Sequence, residues 1–148
     1  MAGACIAVLF YGTPTSEQQE RFARYITTVA SSSERQAFWI CGLPFSYSTQ
    51  ALNDDEIAQY SVVGGFNYSL VICAGARGVP SDVFLAMLAA KVAEMFSGQI
   101  VFEGGIPSYT SDPVALTLEG RTACVGYDLL SATYLSHWIN HQDFGIPN

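Results

Sequence analysis

Residues 4 to 11, Ala-Cys-Ile-Ala-Val-Leu-Phe-Tyr, form an unbroken apolar run of strand length, and the segment after it changes period. Gly12-Thr13-Pro14 makes a turn, with Pro14 suited to open a helix. From Thr15 to about Ser31, the residues Phe22, Tyr25, Ile26, Val29 and Ala30 recur at steps of three and four. Glu17, Gln18, Glu20, Arg21 and Arg24 take the other face, with acids in the first turn where the helix dipole favours them. A buried strand feeding an amphipathic helix constrains the chain more than any other feature. Neither element can hide its apolar side alone, so helices must stack on a sheet.

The same alternation continues. Ala37 to Leu43 reads as a second strand stopped by Pro44, and Phe45 to Leu52 as a loop rich in Ser and aromatic residues. Asn53-Asp54-Asp55-Glu56 starts a short helix through Ile57, Tyr60 and Val63, ended by Gly64-Gly65. Tyr68 to Ala74 is a third strand, and Gly75 to Pro80 a loop. Ser81 can cap a helix reaching about Ser97, with Phe84, Leu85, Leu88, Val92, Met95 and Phe96 inward. Ile100 to Phe102 is a fourth strand, followed by a polar loop from Ile106 to Pro113. Ala115 to Leu118 and Thr122 to Tyr127 suggest a hairpin about Glu119-Gly120. Asp128 or Ser131 opens a last helix through Leu135, Trp138 and Ile139.

The expected fold class is α/β (α+β mixed), one domain over residues 1–148. It comprises a mixed sheet of five to six strands, about four helices, a late hairpin and a C-terminal helix. Its expected core is Val8, Leu9, Phe22, Ile26, Trp39, Ile40, Leu70, Ile72, Leu85, Leu88, Val92 and Trp138.

Composition removes several classes of function. Half of the 148 residues are hydrophobic and 13% are charged, against a usual charged share of about 25%, which excludes disorder. Thirteen acids oppose six bases, a net charge of −7, and the bases are scattered in sequence, so nucleic acid is not an expected partner. No basic residue precedes Arg21, so the apolar start lacks the form of an export signal. The twenty uncharged residues between Glu56 and Arg77 contain Gln59, Ser61, Gly64, Gly65, Asn67 and Ser69, too polar for a membrane span. Cys5, Cys41, Cys73 and Cys124 sit apart in strand-like runs, where cysteine serves as a small buried hydrophobe. Reduced thiols and a cytoplasmic location are expected.

Signals for chemistry are weak. His137 and His141 share a helical face, but Trp138 stands where a zinc-protease motif needs Glu, so packing or surface histidines are expected. Gly75-Ala76-Arg77-Gly78 lies between a strand and a helix, where anions bind in α/β proteins. It matches neither a dinucleotide fingerprint nor a P-loop. No Gly-x-Ser-x-Gly elbow occurs, and thiols in apolar strands are poor nucleophiles. No catalytic residue, metal ligand or cofactor site is expected. The densest charge cluster, Asp54-Asp55-Glu56, can be a helix N-terminus or an anionic patch that steers a basic partner.

The second half resembles a known group. Leu-Ala-Met-Leu-Ala-Ala-Lys-Val-Ala within Val83 to Phe96 is followed by Ser97-Gly98-Gln99-Ile100-Val101-Phe102-Glu103-Gly104-Gly105. Later come Leu118-Glu119-Gly120 and a terminal run from Ala132 to Phe144. Over residues 68 to 145 this order resembles small bacterial immunity proteins of secreted antibacterial toxin systems, including type VI effectors. Ser131 stands where an acid is expected, and Gly145 to Asn148 replaces a basic tail. The resemblance implies a cytoplasmic, non-catalytic inhibitor that occludes a cognate toxin's active site. From charge, the toxin would be basic, as one acting on nucleic acid or nucleotides.

The expected partner-binding residues are Tyr47, Asp54, Asp55 and Glu56 in one loop region and Glu103, Tyr109 and Asp112 in another. The alternatives are a small enzyme using the Gly75 to Gly78 loop and Arg77, or an adaptor that associates through apolar surface, as a homodimer for example.

Overall fold

The computed structural model describes residues 3–60, 65–103, 120–123, 126–140 and 144–146. Strand β1 (Cys5–Phe10) leads through a turn into α1 (Ser16–Val29). Thr15 and Gln18 close a reciprocal capping box at the start of α1, with bonds of 3.0 and 3.1 Å. Then follow β2 (Ser32–Glu34), β3 (Ala37–Ile40), β4 (Leu43–Ala51), α2 (Asp54–Gln59), β5 (Tyr68–Ala74) and α3 (Val79–Phe96). The chain goes on through β6 (Gln99–Glu103), β7 (Arg121–Ala123), β8 (Tyr127–Leu130) and α4 (Ala132–Trp138). Four helices and eight strands are therefore present among the described residues.

All eight strands join one sheet in the order β2-β3-β4-β5-β1-β6-β8-β7. Every pairing is antiparallel. The α+β class agrees with the sequence, whereas the strand count and the mixed sheet do not. β5 and β6 run the same way but flank β1, so α3 crosses over β1 and no parallel ladder forms.

Most of the extra strands come from residues 32 to 51. β4 occupies the stretch expected to be a loop, and it alternates Phe45 buried, Ser46 exposed, Tyr47 half-buried and Ser48 exposed. Cys41 and Gly42, at φ of 51° and 80°, form the two-residue turn that joins β3 to β4. Positive φ at both positions matches the twist of a hairpin.

Strand alternation divides the core in two. Ile6, Val8, Phe10, Phe38, Phe45, Leu70, Ile72 and Ile100 face α1, α3 and α4. α3 is apolar almost all round because it lies between the sheet and the other two helices. On the opposite face, Leu9, Leu52, Phe66, Val101, Tyr127 and Leu129 form a smaller cluster. The expected core is buried except at one position. Phe38 faces the helices, so its neighbour Trp39 is turned to the opposite face and is only half-buried.

Two further expectations need correction. Thr122 to Tyr127 is not one strand but falls within a hairpin of β7 and β8 that turns near Gly126; the expected turn at Glu119 and its first arm, 115–118, lie outside the described residues. Cys5 and Cys73 are not reduced but joined, with an S–S distance of 2.06 Å. They are direct cross-strand partners in the β1–β5 ladder, on the face away from the helices. Cys5 is exposed, as is the free Cys41, and Cys124 lies outside the described residues. No described helix is long and apolar enough to cross a membrane.

Candidate interaction surface

The Asn53 side chain and Glu56 cap α2 reciprocally, with bonds of 3.1 and 2.8 Å. α2 buries no residue of its own. It is held at its C-terminal end instead: the Tyr127 hydroxyl donates to the Gln59 carbonyl at 3.0 Å, and the Tyr60 ring meets Tyr127 edge-on at 5.4 Å. This anchor leaves Asp54 and Asp55 exposed and Ile57 40% exposed.

The end of β6 brings Glu103 to the same place. Burial, then the Glu103 carboxylate, then that of Glu56 raise the pKa of the Tyr60 phenol above its ordinary value. Two carboxylates far apart in sequence thus act on one phenol. Tyr11, 58% exposed, stacks on Phe66 at 4.8 Å at the margin of the cluster beneath. The result is an anionic surface with apolar and aromatic members.

Of the expected partner-binding residues, Asp54, Asp55, Glu56 and Glu103 are brought together in this way. Tyr47 is not. It lies on the helix-covered face, half-buried, with its ring edge-on to Phe22 at 4.8 Å. The cause is the strand: a single residue step along β4 puts Tyr47 on the face opposite Ser46 and Ser48. Tyr109 and Asp112 lie outside the described residues. Ile57, Tyr60 and Tyr11 complete the surface. Of these, Tyr60 carried a signal in its nearness to the acids of α2, while nothing local marked Tyr11.

No group of three His, Cys, Asp or Glu side chains could hold a metal among the described residues, and His141 lies outside them. Gly78 precedes α3 without a side-chain cap, but Asp82 already places a carboxylate in its first turn. Burial raises the pKa of Asp82, and the Ile146 N–H, 3.5 Å away, lowers it. Arg121 and the buried Asp128 pair at 2.8 Å across β7 and β8, a contact that ties the sheet edge together.

Fold and surface define an α+β protein, one antiparallel sheet with α1, α3 and α4 on one face and α2 with its acidic patch on the other. The chain belongs to a family of unknown function, DUF6368, whose profile matches residues 2–148. No curated protein and no solved structure matches it.

Proposed function

We propose that this chain is a non-catalytic immunity protein that binds a cognate antibacterial toxin, of the secreted kind exemplified by type VI effectors, and occludes its active site. One observation carries the reading: Glu56 and Glu103 converge on Tyr60 beside the exposed Asp54, Asp55 and Ile57. These side chains are not needed by the main core, and acids around an apolar centre suit a basic partner. A tight inhibitor complex buries about 1,200–2,000 Å² in total, more than α2 alone offers, so Glu103 and Tyr11 belong to the contact. The reading places the chain in the cytoplasm, where an incoming toxin would meet it. The Cys5–Cys73 bond pulls the other way, because such bonds persist in oxidising compartments.

The test is co-expression with the product of the neighbouring gene, read by growth and by co-purification. Rescue of growth together with a stable complex is the expected result. Replacing Asp54, Asp55 and Glu103 by Lys should abolish both while the chain stays folded, the lost dipole contacts at the start of α2 costing up to about 1 kcal/mol each. A complex that survives all three reversals at low salt would rule out this surface as the toxin contact. A neighbour that is neither toxic nor bound would rule out immunity towards it.

A further inference from the structure

Only six cations oppose thirteen acids in this chain, yet three of the six meet in one cleft. Arg21 and Arg24 of α1 and Lys91 of α3 line a space of about 250 Å³ between the two helices, walled also by Tyr25, Thr28 and Met95. Helical spacing brings them there: Arg21, Arg24, Tyr25 and Thr28 recur at steps of three and four, while Phe22 and Ile26 are buried towards the sheet. Lys91 Nζ lies 5.8 Å from the centre of the Tyr25 ring and 3.7 Å from a Glu94 carboxylate oxygen. Neither arginine has a carboxylate within 4.0 Å among the described residues, although Glu17 and Glu20 stand four positions before them. Arg21 and Arg24 therefore stand one turn apart with no carboxylate in contact, an arrangement in which like charges repel.

Tyr25 and Lys91 also wall a wider groove of about 670 Å³ between α3 and α4. Ala90, Ala132 and Ile139 supply apolar surface there, Thr133, Ser136 and Asn140 supply uncharged hydrogen-bonding groups, and Glu94, which contacts Lys91, supplies one carboxylate. The two spaces share a wall, so one ligand can lie in both. Their sizes suit a small molecule.

We propose that this is a binding site for a small organic phosphate. The phosphoryl group lies among Arg21, Arg24 and Lys91, and an uncharged polar body of nucleoside size lies along the α3–α4 groove. Two guanidinium groups and an ammonium supply donors to several oxygens at once, which matches a phosphate monoester better than a carboxylate. The Tyr25 phenol stays protonated, because burial and then Glu94 raise its pKa, and it can donate a further hydrogen bond. A long polyanion would run into Glu94, which lines the groove. The site lies among the helices, on the other side of the sheet from the acidic patch, and is independent of the toxin contact.

Calorimetric titration of the full chain with inorganic phosphate, adenosine monophosphate and adenosine tests it. Adenosine monophosphate should bind roughly tenfold or more tightly than either fragment, and more weakly as salt rises. The double change Arg21→Gln and Arg24→Gln should weaken it by about tenfold or more, with no shift in the thermal transition because both side chains are exposed. Thr133→Val with Ser136→Ala should weaken adenosine monophosphate and leave inorganic phosphate unchanged. Absence of binding by all three probes at millimolar concentration would overturn the proposal, as would binding indifferent to the arginine changes. Phosphate binding as tightly as the nucleotide would overturn the assignment of the α3–α4 groove.

Discussion

The two faces of the sheet are built on different terms. On the helix-covered side, the inward positions of β1, β3, β5 and β6 and the apolar surface of α3 make one continuous core. On the other side, six buried residues form a smaller cluster among the described residues, with Ala7 and Tyr60 packed against it, and β4 shows Ser46, Ser48 and Gln50 to solvent. The first face consumes its side chains in folding. The second leaves charged and aromatic groups over for contact with something else, and its ladder carries the Cys5–Cys73 bond where no helix covers it. A single strand thus belongs to both: Val8 faces α3 and Leu9 faces the smaller cluster.

The sharpest way to break this contrast is to truncate one aliphatic side chain on each face. Leu88→Ala on α3 should cost about 2–5 kcal/mol, since the side chain is 2% exposed and enclosed on all sides. Val71→Ala, half-buried on the open face of β5, should cost below about 1 kcal/mol. Urea unfolding measures both, and equal losses would show that the faces do not differ. Next in size is the disulfide. Changing Cys5 and Cys73 to Ser should lower stability by about 2–4 kcal/mol, because the bond closes a loop with a sequence separation of 68. A reductant should lower the wild-type melting temperature by a similar shift and leave the double variant unmoved.

Reversal of Asp54 and Asp55 to Lys touches exposed groups but sets cations against the N-terminal dipole of α2, so it should cost up to about 1 kcal/mol at each position. Its main effect belongs to association: with a basic toxin the rate should fall by roughly tenfold at low salt, and its salt dependence should flatten. Stopped-flow mixing reads this. The smallest effect sharpens the geometry of the patch. The pKa of Tyr60 is raised in the folded chain, so between its unfolded value near 10.0 and the raised value only the unfolded chain has lost the proton. Stability should therefore fall as pH rises through that window, and Tyr60→Phe should remove this part of the fall. Ultraviolet titration should show Glu103→Gln returning the phenol towards its ordinary value more than Glu56→Gln does, since Glu103 is the stronger of the two influences.

Several elements were legible before folding because their signal is local. The period of α1 and the apolar runs of β1 and β5 each match an observed element, and Asn53 to Glu56 reads correctly as a helix start. β4 was hidden because its open-face positions are Ser46, Ser48 and Gln50, which resemble a loop unless Phe45 and Tyr47 are seen to alternate with them. Trp39 and Ile40 both stand in the expected core, although a two-residue period admits only one of two neighbours to a given face, and Ile40 with Phe38 takes the buried one. The disulfide gave no sign either. Each cysteine stands alone in its run, and only the register of β1 on β5 makes them partners.

The acids of α2 could be found as a cluster, but Glu103 could not be assigned to the same surface as distinct from another loop. Helical and strand periods, turn residues and net charge are properties of neighbouring positions, so the amino-acid order alone determined the class of the fold, the inward faces of α1 and α3, and the acidic balance. Strand order, register and the meeting of distant side chains depend on which apolar surfaces can be closed together, a choice made over the whole chain at once. That choice placed Glu56 and Glu103 about Tyr60, sent Tyr47 to the helices, and gathered Arg21, Arg24 and Lys91 into one cleft.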